Sequence, residues 1–183
     1  PVADTLVAAG GPNTNYGTGN NMQIQNNGPN NSVQSLVKFD LNNIGGAVSS
    51  AKLRVYKNGN SASLVVTASA SNNDSWTETD VTWNNRPALG SALTAVTAAA
   101  AGWYEWDITT YIVAEVAGDK TATVYLADLT DYRNVWTQWW TREHSLEGTY
   151  TPRLVVITGP SGSTPTLSSI NRTSGVTAGG TAC

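Results

Sequence analysis

Tyr132-Arg133-Asn134-Val135-Trp136-Thr137-Gln138-Trp139-Trp140 is the densest aromatic stretch of the chain. Read as a β-strand, it sends Trp136, Gln138 and Trp140 to one face and Val135, Thr137 and Trp139 to the other, because successive side chains alternate across the pleat. One face then belongs to a core and the other is available to a ligand. Six more segments have the length and residue types of strands: Gln34–Leu41, Ala51–Lys57, Leu64–Ser69, Gly102–Asp107, Ala122–Leu129 and Arg153–Thr158, beside Val135–Thr141 itself. Turn signals punctuate them at Pro12-Asn13, Asn26-Asn27-Gly28-Pro29, Gly45-Gly46, Asn58-Gly59-Asn60 and Asn84-Asn85-Arg86-Pro87. Seven or more short strands in one sandwich-sized unit predict an all-β fold built of antiparallel sheets, a sandwich or a barrel.

At most one or two short helices are expected, and the main candidate is Ile108–Ala117, where Ile108, Ile112, Val113 and Val116 recur near helical spacing, Asp107 or Thr109 can cap the start and Gly118 stops it. Ala98–Ala101 reads as a loop or strand edge. Of 183 residues, 40% are hydrophobic and only 13% charged, which suits short strands and many turns better than helices. The net charge is −3, with the ten basic residues scattered along the chain, so no footprint for nucleic acid or an anionic membrane exists. No apolar run is long enough to cross a bilayer. The single cysteine, Cys183, excludes an intrachain disulfide and a cysteine-held zinc. Few charges, little lysine and abundant Asn, Thr and Trp point to a secreted, extracellular or cell-surface protein.

Catalytic devices lack parts. The sole histidine, His144, stands without a nucleophile elbow, a zinc-binding helix or a phosphate loop. Carboxylate pairs for glycoside cleavage can be drawn in many ways, and nothing marks one pair over another. The chain therefore reads as non-catalytic. Seven Trp and seven Tyr against one Phe is a skewed choice that favours flat apolar faces with polar edges, suited to stacking on sugar rings. Trp76, Trp83 and Trp106 sit within regular strand or turn motifs and are expected in the core, whereas Trp136 with Trp139 or Trp140 is a candidate exposed platform. Tyr132, Arg133 and Gln138 extend that candidate carbohydrate site. The run Asp74-Ser75-Trp76-Thr77-Glu78-Thr79-Asp80 offers carboxylate oxygens of the kind calcium prefers, so Asp74, Glu78 and Asp80 are the metal candidates, set against the plainer reading of a solvated loop. No cofactor beyond such a structural calcium is suggested.

Several motifs in order, Val37-Lys38-Phe39-Asp40-Leu41, Ser50-Ala51-Lys52-Leu53-Arg54-Val55-Tyr56, Trp76-Thr77-Glu78, Val81-Thr82-Trp83-Asn84-Asn85-Arg86-Pro87, Trp106-Asp107-Ile108-Thr109, Thr141-Arg142-Glu143 and Pro152-Arg153-Leu154-Val155-Val156, resemble the DNRLRE-type domain over about residues 3–157. The resemblance implies a jelly-roll module of secreted bacterial and archaeal surface proteins and polysaccharide-degrading enzymes, some members of which bind carbohydrate, acidic polysaccharides included. It also implies structural duties for the Arg142-Glu143 pair and for Asn84. The Trp-rich stretch between Asp128 and Trp140 is heavier than the family pattern and marks where a surface particular to this chain is expected.

Residues 158–183 turn to Gly, Ser, Thr and Pro, and 165–181 resembles the opening strand and turn of an IPT/TIG domain. Two domains of unequal kind are expected: a sandwich over 1–157 and a linker or extended arm over 158–183. From Pro160 the arm can reach roughly 80 Å, against a sandwich about 40 Å across. Two functions fit. One is a polysaccharide-binding module whose aromatic surface holds the glycan. The other is a structural subunit of an extracellular fibre or adhesin, in which Leu167, Ile170 and Val176 of the arm add a strand to a neighbouring copy.

Overall fold

The computed structural model describes residues 1–59, 62–71, 73–130, 132–146 and 148–159. Leu167, Ile170, Val176 and the IPT/TIG-like stretch lie outside the described residues. Ten strands and one helix follow in the order β1 Ala3–Ala8, β2 Asn21–Gln25, β3 Val33–Asp40, β4 Val48–Lys57, β5 Leu64–Ala70, β6 Ala92–Ala98, β7 Gly102–Asp107, α1 Thr109–Ala117, β8 Thr121–Ala127, β9 Trp136–Trp140 and β10 Arg153–Thr158. All pairings among them are antiparallel and form one curled ladder, β10-β4-β9-β2-β3-β8-β5-β6, with β1 on β3 and β7 on β4.

The curl makes two layers. In the first, β1, β3, β8, β5 and β6 lie side by side; in the second, β4 carries β10 and β7, and β2 pairs with β9. The layers are joined by one bridge, Gln25 with Val33, and within the second layer another, Lys57 with Trp139, joins β4 to β9. Alternation explains the core between the layers. Val37 and Phe39 of β3, Ala122, Val124 and Leu126 of β8, Leu53 and Val55 of β4, Met22 and Ile24 of β2, and Trp106 and Trp139 all point inward. Trp106 donates its Nε1–H to Val66 O at 2.9 Å, so its polar edge is satisfied in the interior.

The first layer is covered on its other face as well. Leu36, Tyr125, Ala3 and Val7 pack there under the 71–91 segment, whose Trp76, Val81 and partly buried Trp83 close a second, smaller core. Trp76 Nε1 donates to Thr123 Oγ1 at 2.9 Å, and Tyr125 Oη donates to Pro87 O at 2.5 Å, which pins the segment at both ends. Trp76, Trp83 and Trp106 are thus core or near-core side chains, as their motifs suggested. Helix α1 begins one residue later than the sequence pattern suggested: Ile108 is the N-cap and makes no side-chain cap bond. Asp107 supplies the oxygen instead, accepting Thr109 N–H at 3.0 Å and Thr109 Oγ1–H at 2.7 Å.

Candidate functional site: the outer aromatic face

The second layer keeps its outer face open to solvent. On β4, Lys52, Arg54 and Tyr56 point outward while Leu53, Val55 and Lys57 are buried. Register places Tyr56 beside Trp103 and Arg54 beside Glu105 on β7, and Arg54 beside Arg153 on β10. The bridge between Lys57 and Trp139 continues that face onto β9, where Trp136, Gln138 and Trp140 point outward next to Gln25, Gln23 and Asn21 of β2. Asn58 N–H donates to Gln138 O at 3.0 Å, and the two side-chain amides are also hydrogen-bonded, which locks β4 to β9.

Five rings from four segments form a contiguous row on this face. Trp103 meets Tyr56 edge-on at 5.5 Å between centroids; Tyr56 lies 4.2 Å from Tyr150; Tyr150 is 6.2 Å from His144; and His144 leans on Trp140 at 3.8 Å. All five are half-buried, each keeping part of its surface in water. Guanidiniums hold Trp103 in place, Arg54 at 5.0 Å and Arg153 at 5.2 Å from its ring. Arg54 also pairs with Glu105 at 2.8 Å, and Lys52 reaches the same carboxylate at 3.1 Å. The result is a flat, rigid aromatic strip edged by charged and amide groups, which can stack on apolar ring faces and exchange hydrogen bonds at its margins.

The structure sorts the residues singled out in the sequence. Trp136, 38% exposed, Gln138 and Trp140 share the outer face. Trp139 does not: it is fully buried, packed against Trp106 at 5.5 Å and Tyr104 at 5.6 Å, with Nε1 donating to Thr137 Oγ1 at 3.0 Å. Its place in the strand alternation puts it in the core, so it is removed from the carbohydrate site. Tyr132, 68% exposed, and Arg133 stand in the loop before β9, away from the row. Trp103, Tyr56, Tyr150 and His144 were missed by the sequence reading. Tyr56 could have been found from the alternation of Lys52, Arg54 and Tyr56 against Leu53 and Val55, but its ring partners come from strand register and from a loop.

The acidic run is divided as well. Asp74 gathers with Glu115 and Asp119, Glu78 gathers with Asp4 and Glu143, and among the described residues Asp80 joins neither group. Asp74, Glu78 and Asp80 therefore do not form one carboxylate group among the described residues. Glu78 is committed elsewhere: its Oε1 accepts Asp4 N–H at 2.7 Å and its Oε2 is paired with Arg142. Arg142 Nε pairs with Glu143 at 2.7 Å, and Arg142 N–H points at both Asp4 oxygens at 3.3 Å. Asp4 is buried, and desolvation together with the negative charges of Glu143 and Glu78 pushes its carboxyl up to about 7. This network ties β1, the 71–91 segment and the end of β9 together, a structural duty of the kind expected of Arg142 and Glu143. Asn15 adds to it by donating to Glu78 O at 2.8 Å and Val81 O at 2.7 Å.

Asn84 closes no turn of its own; its amide reaches Asn13 Oδ1 at 2.8 Å, while Asn85 Oδ1 accepts Thr82 N–H at 2.6 Å. Among the described residues no helix is long and apolar enough to cross a membrane. No curated protein matches the chain. The model of one protein family, carbohydrate-binding module family 96, matches residues 1–158, a span that holds both layers and the whole aromatic strip. That span is most of the sequence, and the chain belongs to carbohydrate-binding module family 96.

Proposed function

We propose that the protein is a secreted, non-catalytic module that holds a polysaccharide along the outer face of the second layer, with Trp103, Tyr56, Tyr150 and Trp140 as the stacking surface. The observation that carries this reading is the continuous row of half-exposed rings on a face of otherwise charged and amide side chains. A core-filling role does not account for it, because the interior is already packed by Trp106, Trp139 and the aliphatic residues beneath. Trp136, Gln138, Gln23 and Gln25 extend the surface along β9 and β2. Glycan-array screening followed by depletion of the protein on the insoluble or gel-immobilised polysaccharide tests the proposal. Retention on at least one polysaccharide, competed by its soluble oligosaccharide, is expected; absence of retention on every glycan class overturns it.

A second reading is favoured by one observation. β10 pairs with β4 on one side and ends the ladder, leaving its other edge open among the described residues, with Val155 and Ile157 exposed. An open edge is a template for strand addition. In this reading the sandwich of residues 1–157 is a rigid bead of an extracellular fibre, and the arm from 158 onward, with Leu167, Ile170 and Val176, completes the edge of a neighbouring copy. Sedimentation of the full chain against a chain ending at residue 159 distinguishes the two, since only fibre assembly requires the arm.

A further inference from the structure

A cavity at the opposite end of β9 from the strip is lined by Asn26 and Ser32 of the β2–β3 turn, Gln34 of β3, and Asp128, Thr130 and Tyr132 beyond β8. Two of its oxygens have no hydrogen-bond partner among the described residues although both are buried: Asp128 Oδ2 and Gln34 Oε1. The Asp128 side chain has no exposed surface at all. Its other oxygen, Oδ1, accepts Thr130 N–H at 2.9 Å and Thr130 Oγ1–H at 2.5 Å, so the carboxylate cannot turn to relieve Oδ2. The nearest cation among the described residues, Arg133 Nη2, stands 3.7 Å from Oδ2, beyond hydrogen-bond reach, and donates instead to Thr130 Oγ1 at 2.8 Å. A buried carboxylate oxygen left in this condition is costly unless something positive or donating meets it.

The surroundings are fixed before any ligand arrives. Asn26 Nδ2 donates to Thr130 O at 2.7 Å, Arg133 N–H donates to Asn26 O at 2.8 Å, and Ser32 Oγ donates to Gly28 O at 2.7 Å. These bonds tie the two loops together and orient Asn26 Oδ1, which lies 3.3 Å from Ser32 Oγ, a hydroxyl whose one proton goes to the nearer Gly28 O. The groups that can meet a ligand beside the orphaned pair are thus oxygens: one carboxylate, amide oxygens and hydroxyls, with no thiol or imidazole among the lining residues. That donor set suits a hard cation, and irregular side-chain oxygens from two loops suit the flexible coordination of calcium better than the strict octahedron of magnesium.

We propose that Asp128 Oδ2 and Gln34 Oε1, assisted by Asn26 Oδ1 and the Ser32 hydroxyl, bind a calcium ion that staples the β2–β3 turn to the loop after β8. The site contains none of the five stacked rings and none of the acidic run 74–80, although Gln25, at the far end of the extended glycan surface, also lines it. Arg133, whose side chain is 44% exposed, swings outward to admit the ion. With a single carboxylate the affinity falls in the range of extracellular modules, Kd about 10⁻⁴–10⁻³ M.

The test is thermal unfolding of the full chain titrated with CaCl2, beside MgCl2 and NaCl at matched ionic strength, together with terbium luminescence sensitised by Tyr132. A saturable rise in Tm with calcium alone is expected. Asp128→Asn keeps the Oδ1 bonds to Thr130 and is expected to weaken calcium binding by at least about tenfold, because it removes the one charged ligand. Gln34→Leu gives a second reading of the site should Asp128→Asn fail to fold by circular dichroism, and loses affinity likewise. Arg133→Ala removes a competing charge and tightens binding severalfold, which a purely structural Asp128–Arg133 pair would not do. An unchanged Tm in calcium, equal stabilisation by MgCl2 or NaCl, or an undiminished calcium response in Asp128→Asn or Gln34→Leu overturns the proposal. Trp103→Ala leaves the calcium response intact, so loss of glycan binding and loss of calcium binding are separable.

Discussion

Replacing Asp4 with asparagine removes a titration that works against the fold at neutral pH. In the folded protein the Asp4 carboxyl is held up to about 7, first by burial and then by the charges of Glu143 and Glu78, against 3.8 for the free side chain. The folded state therefore keeps a proton that the unfolded chain has already released, and stability falls as pH rises from about 4 to about 7. A gap of some three pKa units corresponds to ~4 kcal/mol over that window. The proton is shared with Glu143, whose own carboxyl is raised by burial and by Glu78, so the loss is spread over the cluster. The side-chain amide in Asp4→Asn mimics the protonated acid and still offers an oxygen to Arg142 N–H. Urea unfolding of both proteins from pH 4 to pH 7.5 reads the difference, with the remaining carboxylates common to both curves. At pH 4 the two are expected to match within about 1 kcal/mol, and the variant gains on the wild type as pH rises, by ~2 kcal/mol or more at pH 7. Parallel curves, or a variant that loses ground as pH rises, would refute the assignment of Asp4 as the proton-holding group.

Trp139→Ala opens a cavity beside Trp106 and Tyr104 and is expected to cost ~3–5 kcal/mol of stability in a denaturant titration, whereas Trp136→Ala on the outer face changes it by less than about 1 kcal/mol. Gly17→Ala is expected to cost at least ~2 kcal/mol, because a Cβ there would stand 2.0 Å from Glu78 O, and the backbone on both sides is held by Asn15. Trp76→Phe loses the Nε1 bond to Thr123 and leaves the hydroxyl buried, an expected loss of ~1–3 kcal/mol, read as a lower Tm with the far-ultraviolet circular dichroism of a β-sandwich retained.

Alternation carried the sequence reading a long way. It divided Trp136, Gln138 and Trp140 from Thr137 and Trp139 correctly, and it placed strands at β7 and β10 over the same residues that form them. It did not say which face was core, because both faces of that strand carry indoles; the bridge from Lys57 to Trp139 decides it. Three strands were missed. β6 is built from Ala, Thr, Leu and Val with little apolar volume, and β2 hides Met22 and Ile24 among Asn and Gln in a turn-rich stretch. β1 is recognisable as a strand only once β3 lies beside it. The aromatic strip depends on long-range register: Trp103, Tyr56, Tyr150 and Trp140 are scattered over residues 56–150, and no spacing along the chain brings them together. The carboxylates of the acidic run part for the same reason, Asp74 joining Glu115 and Asp119 and Glu78 joining Asp4 and Glu143, since adjacency in sequence said nothing about where the 71–91 segment turns.

Isothermal titration of a polysaccharide retained in the glycan screen into Trp103→Ala and Trp140→Ala, beside the wild type and Trp139→Phe, tests the outer face most directly. Each of the first two variants is expected to weaken binding by about ten- to thirtyfold, the equivalent of ~1.4–2 kcal/mol of stacking, while Tm moves little and Trp139→Phe binds as the wild type does. Undiminished affinity in both outer-face variants would contradict the account.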